Sequence, residues 1–111
     1  MGTVINELED GTYQFISDMD FTFERGGSIN PLVLIFEVYG ELNPSKNNAI
    51  IVHHALSTSS HLAASKQHTT AGWWENMVGP GCHLDTQRYC IICINTTIII
   101  LKVRVIFTTW F

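Results

Sequence analysis

Four consecutive apolar residues, Ala49-Ile50-Ile51-Val52, run up to His53 with no polar position to alternate against. A short unbroken apolar run suits a central strand covered on both faces. Arg88 to Ile94 has the same character and predicts a second buried strand. Upstream, Phe21 and Phe23, and then Leu32 to Tyr39, alternate or cluster as strands, with Gly26-Gly27 between them. That pattern predicts an antiparallel hairpin. Residues 1–16 are polar and acidic and read as a loose lead-in. Gly40 to Asn48 is dense in turn formers and predicts a loop. Ser57 to Ser60 follow the first buried strand as a loop, His61 to Lys66 fit a single helical turn, and Gly72 to Gly81 form a turn-rich connector. From Thr96 the pattern changes: TTIIILKVRVIFTTW carries no turn former for fifteen positions. An α/β chain ordinarily interrupts such a run with a loop and a helix. No internal repeat or linker is visible.

Composition narrows the class. The chain has 111 residues, 46% hydrophobic and 14% charged, which suits one small globular domain with a modest core. Six Lys plus Arg are scattered along a chain of net charge −4, so the basic patch that a nucleic-acid partner needs is missing. The N-terminus has no basic start followed by an apolar core, so no secretory signal is expected. Gly2 invites myristoylation, but Asn6 stands where that motif needs Ser or Thr. The sequon at Asn95-Thr96-Thr97 matters only in a secreted protein. Three cysteines, an odd number, are expected as free thiols in a cytoplasmic protein. Ile94 to Phe111 has the length of a short membrane span, but Lys102 and Arg104 lie in its middle. Each would cost about 2.5–3.5 kcal/mol at a bilayer centre. Thr, Ile and Val also favour strand over helix, so no membrane partner is expected.

Chemistry-bearing residues are few. His54, His61 and His68 recur every seven residues, and Cys90-x-x-Cys93 adds two soft ligands. A zinc site needs them to converge. Residues three apart on a strand face opposite sides, and there is no second C-x-x-C or H-x-x-x-H pair, so no metal site is expected. Trp73-Trp74 reads as packing a loop onto the sheet in preference to stacking a base or sugar. Nothing in the sequence brings Glu37, Glu41 and Asp85 together, which favours solvated or turn-capping roles. Asp85-Thr86 has the form of a turn start.

Five segments, in order, carry a family resemblance: EVYGELNPSKNNAI (Glu37–Ile50), HALSTSSH (His54–His61), GWWENMVGPG (Gly72–Gly81), LDTQRY (Leu84–Tyr89) and CIICIN (Cys90–Asn95). Together they resemble the N-terminal part of the homoserine O-acyltransferases, the acetyl- or succinyl-transferring enzymes of methionine biosynthesis. The resemblance spans about Phe15 to Asn95. It implies an α/β class: the N-terminal portion of an α/β-hydrolase sheet, an antiparallel hairpin and then two buried strands, incomplete. Residues 17–95 would be a partial hydrolase domain, and 96–111 a divergent apolar tail. The abrupt loss of family pattern after Asn95 suggests a frameshift and early stop.

The resemblance also implies a ping-pong mechanism. A serine on a strained strand-to-helix turn takes the acyl group from acetyl-CoA or succinyl-CoA and passes it to L-homoserine. A histidine acts as base and an aspartate orients it. One oxyanion donor lies in the loop after the third strand, here His54-Ala55-Leu56-Ser57. The Leu56 backbone N–H is the implied donor. His54, Ala55 and Ser57 support the loop, and the small Ala55, Ser57 and Ser59 let a substrate approach. No G-x-S-x-G elbow occurs in the chain, and Ser28 after Gly26-Gly27 lies in the first hairpin. Nucleophile, Asp and His are therefore expected beyond residue 111, with no bound cofactor and little activity from the chain alone. A sheet lacking later strands would expose the edge at Ala49–His53 and self-associate. The competing reading is a small non-enzymatic module that binds a partner through that edge.

Overall fold

The computed structural model describes residues 3–9, 11–55 and 57–95. The apolar tail 96–111 and Leu56 lie outside the described residues. Nine strands and no helix form within them: β1 (Thr3–Glu7), β2 (Tyr13–Ser17), β3 (Phe21–Thr22), β4 (Ser28–Ile29), β5 (Leu32–Tyr39), β6 (Ala49–Val52), β7 (Val78–Gly79), β8 (Leu84–Asp85) and β9 (Cys90–Asn95). Five of them build one mixed sheet in the order β1-β2-β5-β9-β6. Within that sheet the β6–β9 pair is the one parallel pair, with Ala49 beside Cys90 and Val52 beside Cys93; β7 and β8 pair in parallel in a separate two-stranded ribbon.

Three expectations need correction. Residues 1–16 are not a loose lead-in where they are described: β1 and β2 form a hairpin, Thr3 against Ser17 through Glu7 against Tyr13. Their side chains are mostly exposed or half-buried, so the apolar signal that marks a strand is weak, and pairing to β5 decides the outcome. Secondly, Phe21 does not pair with Leu32–Tyr39. It pairs with Ile29 in a small separate ribbon closed by Gly26-Gly27, and β5 pairs with β2 and β9. Thirdly, His61 to Lys66 makes no helical turn. Its backbone is committed elsewhere, the Trp74 N–H donating to the Leu62 carbonyl (2.9 Å) and the Ser65 N–H to the His68 carbonyl (2.8 Å).

The two apolar runs do become adjacent strands, but with different burial. β9 is central and holds Cys90, Ile91 and Cys93 buried. β6 is the outer strand of the described sheet, and Ile51 is 49% exposed. Among the described residues the expected cover on both faces is therefore missing at β6, and no strand pairs with its outer side.

One face of the sheet carries the core. Register places Glu37 beside Cys93 and Tyr39 beside Ile91 on β5 and β9, and Ile50 and Val52 continue that row on β6. Leu62, Ala63 and Val78, with Trp74 and Met77 half-buried, pack over it. Fully burying a side chain such as Leu62 or Ile91 contributes about 1.5–3 kcal/mol, so the irregular segment 57–77 is held chiefly by this row. Two glycines permit the close approach. A Cβ on Gly72 would overlap the backbone of Leu62 and Ala63. Gly40 has φ +83°, and a Cβ there would overlap the Tyr89 and Thr86 carbonyl oxygens. Asn48 ties the 40–48 loop to β9: its side-chain N–H groups donate to the Glu41 carbonyl (2.9 Å) and the Arg88 carbonyl (3.0 Å).

Candidate functional site

The loop that leaves β6 begins at His53. His54 reaches back to β9, making a main-chain hydrogen bond with the Cys93 thiol. Ala55 then sets a turn, its carbonyl accepting from both the Thr58 N–H (3.0 Å) and the Thr58 hydroxyl (3.0 Å). His54 Nδ1 lies 2.6 Å from the same carbonyl oxygen. Ala55 and Ser57 are exposed, and His54 is half-buried. The side chains at 55 and 57 are thus small and solvent-facing on both sides of position 56. Leu56 itself lies outside the described residues, so its role stays with the resemblance.

The far side of the loop is fastened by the tryptophan pair. Trp73 Nε1 donates to the Ser59 carbonyl (2.8 Å), and the two indoles stack at 5.3 Å. Trp74 packs on the core while Trp73 is exposed at its rim. This matches the packing role read from the sequence. Asp85 is a turn residue: its carboxylate accepts from the Gln87 N–H (2.9 Å) and the Gly81 N–H (3.1 Å). Those two bonds, the Gln87 one foremost, hold its pKa below the usual carboxylate value. The three cysteines are free, as expected. Burial pushes the Cys93 thiol up to about 11, with the nearby Glu37 charge adding to the shift. Burial also raises Cys90.

Glu37 departs from its expected solvated role. It is buried beneath the 61–70 segment, at the centre of a polar cluster. The Tyr39 hydroxyl donates to Glu37 Oε2 (2.7 Å), and His61 Nδ1 and His68 Nδ1 lie 3.1 and 2.8 Å from its oxygens. The Tyr39 oxygen in turn accepts from the Leu62 N–H (2.9 Å). Burial first, and the Glu37 hydrogen bond second, raise the Tyr39 hydroxyl above the ordinary tyrosine range. The two imidazoles stack at 3.6 Å. A glutamate inside the apolar run LVLIFEVY was the available signal, because period-two alternation puts it on the same face as Tyr39. Nothing local announced that His61 and His68 would close over it. Among the described residues the converging group is Glu37, His61 and His68; Cys93 is the register neighbour of Glu37 on β9, and His54 joins that cysteine only through its main chain.

No family model matches the chain. Curated relatives do. The homoserine O-acetyltransferase of Deferribacter desulfuricans is 46% identical over 78 residues, covering 68% of this chain and 21% of that protein. The homoserine O-succinyltransferase of Comamonas testosteroni is 47% identical over 87 residues, covering 76% and 21%. The crystal structure of homoserine O-acetyltransferase from Bacillus anthracis superposes with a TM-score of 0.67 at 36% identity, covering 76% of this chain and 22% of that one. The chain is a relative of the homoserine O-acyltransferases. Its sheet is part of an α/β-hydrolase sheet. It spans about a fifth of the length of the homoserine O-acyltransferases it matches. Among the described residues no helix is long and apolar enough to cross a membrane.

Proposed function

We propose that the chain represents the oxyanion side of a homoserine O-acyltransferase site, with the nucleophilic side supplied by sequence that is not in these 111 residues. The parallel β6–β9 pair carries this reading, because it delivers the His54–Ser57 loop at the carboxyl end of β6. In open α/β sheets ligands bind outside the carboxyl ends of the strands. In the complete site the Leu56 N–H stabilises the oxyanion that forms when a serine attacks the acyl thioester, and again when the homoserine hydroxyl attacks the acyl-enzyme. The donor is a main-chain group, so the loop needs small neighbours and a fixed path, which Ala55, Ser57 and the Thr58–Ala55 turn supply. Acyl-CoA and L-homoserine are the substrates of that complete site, in cytoplasmic methionine biosynthesis. Relatives carry both acetyl and succinyl names, and the acyl choice rests with pocket residues outside this chain. Residues 96–111 replace the family's continuation, as a frameshift would produce.

Complementation tests the reading. The chain alone should show no acyl transfer from acetyl-CoA or succinyl-CoA to homoserine. Co-expressed with the remaining portion of a full-length relative, it should restore transfer. Leu56→Pro, which deletes the N–H, should lower the restored rate by about 10²–10³-fold, while Leu56→Ala, which keeps it, should not. Equal rates for the two variants would remove Leu56 from the oxyanion role. No gain over either part alone would reject assembly.

A further inference from the structure

The cluster at Glu37 is short of hydrogens. His61 Nε2 lies 2.6 Å from the Thr70 carbonyl oxygen, which can only accept, so that nitrogen carries its N–H. A neutral imidazole has one N–H, which leaves His61 Nδ1 as a bare lone pair. That lone pair faces Glu37 Oε2 at 3.1 Å and Oε1 at 3.3 Å. Two acceptors facing one another need a cation between them. Tyr39 cannot relieve the pair, because its single hydroxyl hydrogen is already given to Glu37 and its oxygen accepts from Leu62. A second nitrogen, His68 Nδ1, sits 2.8 Å from Glu37 Oε1.

We propose that Glu37, His61 and His68 form a binding site for a divalent transition metal of the zinc class, with the Glu37 carboxylate and the two Nδ1 atoms as ligands. Their candidate ligand atoms all lie within 4.8 Å of one another. Ligands about 2.0–2.2 Å from a tetrahedral ion stand about 3.3–3.6 Å apart; the His61 spacings of 3.1 and 3.3 Å are near this, and the 2.8 Å His68 spacing would have to widen. The donor set of two imidazoles and one carboxylate suits zinc or iron over magnesium or calcium. The surroundings also fit. A metal-binding histidine characteristically donates its other N–H to a carbonyl, as His61 does to Thr70, and the carboxylate is oriented by Tyr39. The two rings stack at 3.6 Å, so sharing one ion would require His68 to turn out of that stack. It is the rim ligand, its side chain 33% exposed against 13% for His61. Three protein ligands leave a fourth position for water or a small anion on that open side. The bound ion would clip β5 to the 61–70 segment, a role independent of acyl transfer.

The test is zinc binding to the purified 111-residue chain, measured by competition with a chromogenic chelator, with cobalt substituted for a visible spectrum. One ion per chain is expected, with a Kd of about micromolar or tighter. His68→Ala, at the rim, should weaken binding at least about tenfold, and Cys82→Ser should leave it unchanged. Hydrogen exchange gives a second readout: zinc should slow the 61–70 amides in the parent chain and not in the His68→Ala variant. Absence of binding below millimolar zinc would overturn the proposal, leaving a proton as the cation of the pair. Equal affinity in the His68→Ala variant, or a cobalt–thiolate charge-transfer band, would overturn it as well.

Discussion

Tyr39→Phe isolates the hydrogen-bond hub that seats the 57–77 segment on the sheet. The substitution keeps the ring that packs beside Ile91 and deletes one oxygen. That oxygen gives a 2.7 Å hydrogen bond to buried Glu37 and receives the N–H of fully buried Leu62 at 2.9 Å. A hydrogen bond to a charged group is worth about 1.5–3 kcal/mol, and a buried donor left unmade costs about 1–3 kcal/mol. Such terms are not additive, so about 3 kcal/mol is expected in all, since the same loss is partly counted in each. At 1.4 kcal/mol per tenfold, local opening should become about 100-fold more frequent. Hydrogen exchange of a peptide containing Leu62 and Ala63 reads this without requiring a cooperative global transition. Tyr13→Phe, whose ring stacks on Phe36, should leave that exchange unchanged. The pH dependence has a fixed sign. The fold raises the Tyr39 hydroxyl, so its contribution is complete below the unfolded tyrosine value of about 10 and is lost as pH climbs beyond it. Exchange at Leu62–Ala63 that stays within about twofold in Tyr39→Phe would refute the hub.

Three further outcomes follow from the same contacts. Cys93 shifts from 9.0 to about 11, and because the thiolate is the nucleophile, iodoacetamide should label it about 100-fold more slowly at pH 8 than in the urea-denatured chain; equal rates would show that the thiol is not buried as described. Gly72→Ala forces a Cβ into the Leu62 and Ala63 backbone, which should cost about 1–3 kcal/mol and be seen as faster exchange across Leu62–Trp74; unchanged exchange there would disprove the close approach. Ile51→Lys places a charge on the exposed outer strand β6, and charged side chains discourage edge pairing, so light scattering should show less self-association than in the parent chain; no change would move the associating surface elsewhere.

The open edge of β6 and the hub under Tyr39 were legible to different degrees. The unbroken run Ala49–Val52 announced a strand, and its parallel partner Cys90–Asn95 was equally plain, because apolar runs without alternation have few other uses. The Gly72–Gly81 connector and the Asp85 turn were readable from turn chemistry alone. Phe21 was assigned the wrong partner, because two short apolar stretches flanking Gly-Gly are equally good neighbours locally. Only the competition for β5, won by Tyr13–Ser17 and Cys90–Asn95, sends Phe21 to Ile29.

For this chain the sequence determined the kinship, the two apolar strands at Ala49–Val52 and Cys90–Asn95 and the absence of a serine elbow, since each depends on residue types in fixed order, whereas β1 and β2 came only from pairing. Tertiary structure decided what Glu37 does. Its local pattern shows a carboxylate within a strand, but His61 and His68 reach it across 24 and 31 residues of irregular chain. Closure over such distances is set by the packing of Leu62, Ala63 and Trp74 on the sheet, and packing of that range leaves no periodic trace in the sequence.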